Sequence, residues 1–168
     1  MKIAKRNNPL PRLAGRLSLA FENRSASANL PPAEAFARWA RAALQPDVAR
    51  AEVSLLVVDA DEGRALNHDY RGKDYPTNVL SFALNEGEPV PGLPLFGDLV
   101  FCAPVVEEEA RTQGKTLEAH YAHLTVHGLL HLQGFDHEGD DEAEVMEKLE
   151  SVILAKLGYA NPYAEELV

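Results

Sequence analysis

Apolar and polar positions along this chain follow two rhythms, and the change from one to the other separates strands from helices. In AEVSLLVVDA, Val53, Leu55, Leu56, Val57 and Val58 form a near-continuous apolar run. Such a run predicts a strand buried on both faces. LSLAF, from Leu17 to Phe21, reads as an earlier strand. Val79, Leu80 and Phe82 make a short strand beyond the breakers Gly72 and Pro76, and GDLVFCA makes another. Helical spacing appears in LPPAEAFARWARAAL, where Phe36, Trp39, Ala40 and Leu44 share a face. Pro32 suits the first turn of that helix, Pro46 ends it, and Trp39 belongs to the core. Asp61 to Leu66 reads as a short helix or turn with Ala65 and Leu66 inward. Pro104 to Gln113 is an amphipathic helix ended by Gly114. The next helix carries the histidines, and Thr116 can cap it. In the last helix Val145, Met146, Leu149, Val152, Ile153 and Leu157 recur at helical spacing up to Gly158, with Asp136 or Asp140 as cap. Asn23 to Asn29 and Gly87 to Pro94 read as loops.

Strands early and helices late, without regular βα alternation, predict an α+β fold. The expectation is a mixed sheet of about four strands packed with about five helices. A chain of 168 residues makes one domain the default, spanning 1–168. The ends, 1–15 and 159–168, are expected to be loose.

Composition changes this picture only slightly. No stretch approaches a membrane span, and the N-terminus has no apolar run like a signal core. The single Cys102 cannot form an internal disulfide, which fits a reducing, cytoplasmic setting. Charge says more. The net charge of −10 argues against generic nucleic-acid binding. Yet residues 1–84 hold 12 Lys/Arg against 9 Asp/Glu, whereas residues 85–168 hold 4 against 17. Any RNA contact is therefore expected in the N-terminal half, near Arg71 and Lys73. The acidic half is a solvated helix face or a surface for a basic protein.

The chemistry concentrates in HLTVHGLLHLQGFDH, which holds four of the six histidines. His127 and His131 are four apart and share a helical face. Gly134 is a helix stop, and His137 lies just past it, where the chain can turn back. One histidine on a helix is usually structural or exposed. Three in the pattern H-x3-H-x5-H, around a helix stop, suit one zinc-class ion per chain with a fourth position open. The metalloprotease Glu is missing, because position 128 is Gly.

HGLLHLQGFDHEGDDEAEVMEKLE resembles the YbeY family of bacterial endoribonucleases, whose hallmark reads roughly HGxLHLxGYDH. The resemblance extends back through LNHDYRGKDYPTNVLSFAL and GDLVFCAP, in the family order, and covers roughly residues 50–158. Two positions depart from the pattern. Phe135 stands where Tyr is common. Asn78 stands where Asp is common, which removes a carboxylate near the expected cleft. The resemblance implies an α+β domain with its metal site on a helix of the C-terminal half. It also implies a metal-dependent, single-strand-specific endoribonuclease of rRNA maturation, at the 16S rRNA 3′ end, and of ribosome quality control. The implied partners are rRNA, the small ribosomal subunit and a ribosomal protein.

Phosphodiester cleavage needs a cation for the charge that develops on phosphorus, and the planar fork of Arg matches two phosphate oxygens. Arg71 is the candidate, in a Gly-flanked turn, and the family's catalytic Arg falls on it. The competing role is a salt bridge to Asp69 or Asp74. Lys73 is a lesser phosphate contact, with surface solvation as its alternative. His123 and His120 either approach substrate or serve packing and hydrogen bonding. Asp136 either holds a ligand imidazole or caps a helix. The nucleophile stays open between water and the RNA 2′-OH. Two other functions also remain open: a non-catalytic assembly factor with a fold-stabilising zinc, and a zinc hydrolase of another substrate.

Overall fold

The computed structural model describes residues 15–84, 93–136 and 138–164. Among them are four strands and five helices, an α+β arrangement. Strand β1 (Leu17–Asn23) leads to helix α1 (Ala33–Ala43), then to β2 (Ala51–Val58) and α2 (Ala60–Arg71). Strands β3 (Val79–Ala83) and β4 (Leu95–Cys102) follow. Helices α3 (Ala103–Thr112), α4 (Leu117–Leu132) and α5 (Asp140–Leu157) complete the fold. The sheet order is β1-β2-β4-β3. β1 and β4 both run parallel to β2, with Leu17 and Leu95 opposite Ala51. β3 runs antiparallel to β4, with Val79 opposite Phe101.

The main core lies on one face of the sheet. Leu55, Val57, Leu99 and Phe101 meet Phe36 and Trp39 of α1, Tyr121, Leu129 and Leu130 of α4, and Met146 and Leu154 of α5. The opposite face carries a smaller cluster of Val58, Leu80 and Val100 with Leu56, Leu66 and Phe82. Because α2 covers only that end of the sheet, β2 is buried on both faces only near Val57 and Val58. Glu52 and Ser54, earlier in the strand, are exposed. The apolar run in the sequence hides this asymmetry.

Helix α2 runs well past Leu66 and takes in Arg71, which the sequence reading places in a turn. Gly72, at φ 72°, is the left-handed cap that stops it. Its buried positions are Gly63 and Asn67; Ala65 is exposed. Asn67 Nδ2 donates to the Tyr75 carbonyl at 2.7 Å, which folds the segment after Gly72 back along the helix.

Helix α5 also differs from expectation. Its N-cap is Gly139, not Asp136 or Asp140, and three acidic residues in its first turn complement the helix dipole. Val145 and Val152 are exposed, and the buried row is Met146, Glu150, Ile153 and Leu154. Beyond Gly158 the chain is fastened as far as the described residues reach. Tyr159 donates to Glu118 at 2.6 Å and accepts from Trp39 at 3.2 Å, and Asn161 accepts from Ser151 at 3.0 Å. Residues 1–14, 165–168 and most of the Gly87–Pro94 loop lie outside the described residues. No described helix is long and apolar enough to cross a membrane.

Helix α4 sits against the sheet with little room. A Cβ on Gly128 would lie 2.7 Å from Leu99 Cδ2, and one on Gly97 would lie 2.7 Å from Leu132 Cδ2. Each glycine is the socket for a leucine of the facing element. This also explains position 128: a glutamate there would have to pass through Leu99. Helix propensity alone predicts that Gly128→Ala stabilises by about 1 kcal/mol. Overpacking against the fully buried Leu99 costs about 1–3 kcal/mol. The expected net result in a urea titration is a loss of up to about 2 kcal/mol. A gain would show that Leu99 can give way.

Candidate active-site cleft

Helix α4 is capped as the sequence predicts, with Thr116 Oγ1 accepting from the Ala119 amide at 3.0 Å. It stops where Gly134 adopts φ 98° and the Phe135 amide bonds back to the Leu130 carbonyl at 3.1 Å. That stop turns the Phe135 carbonyl toward His131, whose Nδ1 lies 2.9 Å from it. On the helix face one turn earlier, His127 Nδ1 lies 2.8 Å from Glu150 Oε2 on α5.

These two contacts determine the tautomers. A carbonyl only accepts, so His131 carries its proton on Nδ1. Glu150 is fully buried. Burial pushes its carboxyl up, but hydrogen bonds from His123 and His127, charge attraction to His127 and a hydrogen bond from Tyr163 outweigh that and bring it down to about 2. It is therefore a carboxylate and accepts from His127 Nδ1. Both rings are left with an Nε2 lone pair, and the two Nε2 atoms face each other at 3.1 Å. In these tautomers the two Nε2 atoms cannot hydrogen-bond to each other. A shared cation relieves the repulsion. Two nitrogens each about 2.0–2.1 Å from one ion at a tetrahedral angle lie about 3.3 Å apart, so the spacing fits a zinc-class ion. His137 lies outside the described residues. Among the described residues, no group of three His, Cys, Asp or Glu is placed to hold a metal.

The pair opens into a cleft of about 560 Å³. Arg71 lines it from the end of α2, with Asn78, Val79, Ser81 and Ala83 of the β3 segment opposite His127 and His131. The acids offered as partners for Arg71 are engaged elsewhere. Asp74 takes both arms of Arg64, at 2.7 and 2.8 Å, and Asp69 lies 3.5 Å from His68. Arg71 is exposed, and among the described residues it forms no ion pair. Lys73 is exposed just beyond the helix and is not part of the cleft lining.

The remaining histidines of α4 are held by acids. His120 Nε2 meets Glu109 at 2.8 Å, and burial pushes this imidazole down despite that partner. His123 Nε2 lies 2.8 Å from Glu150 Oε1 and 3.2 Å from the Tyr163 hydroxyl. This geometry is that of the hydrogen-bonding role, with His123 lining a second cavity of about 390 Å³. That cavity shares Asn78 and His127 with the cleft. Asn78, the departure from the family pattern, stands in the wall between them and donates to Glu109 at 3.0 Å.

Glu150 is the site residue that sequence reasoning missed. A signal existed: Met146, Glu150, Ile153 and Leu154 form an i, i+4, i+7, i+8 row with a carboxylate in it. The competing row through Val145 and Val152 is wholly apolar and hides it.

The sequence pattern of the family described as Endoribonuclease YbeY matches residues 20–158. The chain is 68% identical to Endoribonuclease YbeY of Chromobacterium violaceum over 99% of both chains. Identity to the protein of the same name is 61% in Laribacter hongkongensis and 52% in Neisseria gonorrhoeae, again over 99% of both chains. The fold is similar to the solution structure of TM1509 from Thermotoga maritima, with a TM-score of 0.55 and 26% identity. That likeness covers 86% of this chain and 98% of the other. With the pattern spanning residues 20–158, which include most of the sheet and the whole histidine helix, and full-length relatives this close, the chain belongs to the YbeY endoribonuclease family.

Proposed function

We propose that this protein is a metal-dependent, single-strand-specific endoribonuclease acting in rRNA maturation, at the 16S rRNA 3′ end, and in ribosome quality control. The relatives carry the name Endoribonuclease YbeY, and an endoribonuclease acts on RNA. The observation that carries the reading is one cleft with the converging Nε2 atoms of His127 and His131 on one wall and Arg71 on another. His127, His131 and His137 would hold one Zn²⁺. When bound, that ion supplies a Lewis acid for a phosphoryl oxygen and a lowered pKa for water.

The chain's own residues do the rest. The Arg71 guanidinium, exposed at the cleft edge, presents two parallel donors to two phosphate oxygens and offsets charge that grows as the phosphorus becomes five-coordinate. Ser81 and Thr77 offer hydroxyls to the sugar–phosphate backbone, and Val79, Ala83 and Leu132 form an apolar wall. A site sunk between α2, β3 and α4 receives a pliable single strand more readily than a stiff duplex. Lys73 is a further phosphate contact just outside it. His123, tied to Glu150, would act on substrate only from the second cavity. The partners of this reading are rRNA, the small subunit and a basic ribosomal protein that meets the acidic half, in the cytoplasm.

The deciding experiment is RNA cleavage with and without chelator, alongside melting of the chelated protein. Loss of cleavage by a protein that stays folded supports the nuclease. Metal-independent cleavage overturns its metal dependence, and no cleavage by the zinc-loaded protein favours the assembly factor.

Three outcomes are expected. Elemental analysis should find one zinc per chain, and replacing any two of His127, His131 and His137 with Ala should abolish it. RNA affinity should fall with salt on a shallow slope, because few phosphates are neutralised near so acidic a chain; a steep slope would place the RNA elsewhere. Arg71→Ala should reduce cleavage by roughly 10²–10³, about 2.7–4 kcal/mol, with metal content and melting unchanged. Arg71→Lys should rescue little, since a point charge lacks the fork. Near-normal cleavage by metal-loaded Arg71→Ala would remove Arg71 from the mechanism.

A further inference from the structure

Glu150 occupies the middle of α5 with no exposed surface, between the core residues Met146, Ile153 and Leu154. A buried carboxylate is costly, and an apolar side chain of similar size there would avoid the desolvation. Its two oxygens are divided unequally. Oε1 accepts from His123 Nε2 at 2.8 Å and from the Tyr163 hydroxyl at 2.5 Å. Oε2 is given to His127 Nδ1, at 2.8 Å.

The two facing histidines differ in how they can be oriented. His131 stands at the end of α4 and finds a carbonyl in the turn after Gly134. His127 stands in mid-helix, where the neighbouring carbonyls already serve the helix's own amides. Its Nδ1 proton needs an acceptor from another element, and the facing helix supplies one. Histidine ligands depend on such acceptors, which choose the tautomer and aim the free nitrogen.

We infer that Glu150 is a positioning residue of the cleft: it holds His127 in the Nδ1–H tautomer with Nε2 aimed at His131, and Tyr163 braces it from the folded-back C-terminal segment. This rests on the reading of His127 as a metal ligand.

The test uses the full chain. At a pH high enough for the imidazole to be neutral, long-range ¹H–¹⁵N NMR of the zinc-free wild type should show the His127 proton on Nδ1. An Nε2–H tautomer overturns the inference, and this measurement needs no variant to fold. Chelator competition should show Glu150→Gln binding zinc about 10–100-fold more weakly than wild type. A folded Glu150→Gln with wild-type zinc affinity, even with a lowered melting temperature, makes the residue structural and overturns the inference. If the wild type binds no zinc, the metal reading fails by itself, while the tautomer still decides whether Glu150 sets the ring.

Discussion

Helix α4 lies against the sheet with Gly128 filled by Leu99 and Leu132 lodged over Gly97. This reciprocal fit lets a 16-residue helix sink into the core with ten of its residues buried. The histidines form a further row, buried at His120 and half-buried at His123, His127 and His131. His120, His123, His127 and His131 are spaced by three and four residues and therefore run along one side of the helix. Were α4 lifted off the sheet by a larger residue at 128, His127 and His131 would move with it, away from the β3 wall and Arg71.

A row of imidazoles on a buried helix needs acceptors, and each comes from a different place. Glu109 on α3 takes His120, Glu150 on α5 takes His123 and His127, and the backbone after Gly134 takes His131. These bonds tie three helices and a turn to one line of side chains. They also give the acidic C-terminal half a second role. Most of its carboxylates are solvated, but two reach inward and hold the histidines. Removing either acid would take a charged acceptor from imidazoles on a largely buried helix, which is costlier than never having built the pair.

The cleft joins the two electrostatic halves of the chain. The more basic first half contributes Arg71, set at the cleft edge because Gly72 stops α2 there with a left-handed residue. The acidic second half contributes the histidines. Arg71 thus brings a cation to the cleft of a protein whose net charge is −10.

Much of this was legible in the residues. Most elements were readable from periodicity and breakers because burial imposes a period of two on strands and 3.6 on helices. Thr116, Gly134 and the spacing of His127 and His131 pointed to the helix, its stop and the facing pair, since these are local properties of the backbone. Pairings between distant elements were not legible. Helix α2 continues to Arg71 because Asn67 is anchored by the Tyr75 carbonyl, a contact that only the returning chain creates. Val145 and Val152 face solvent, while Glu150 faces the core beside Met146, Ile153 and Leu154 and meets His123 and His127 there. Local sequence determined which segments are helical and where the histidines lie along them. Which carboxylate meets which imidazole, and that Arg71 shares their cleft, was decided only by tertiary packing. Those partners lie 11 to 60 residues apart in sequence, on different elements and beyond the reach of any local rule.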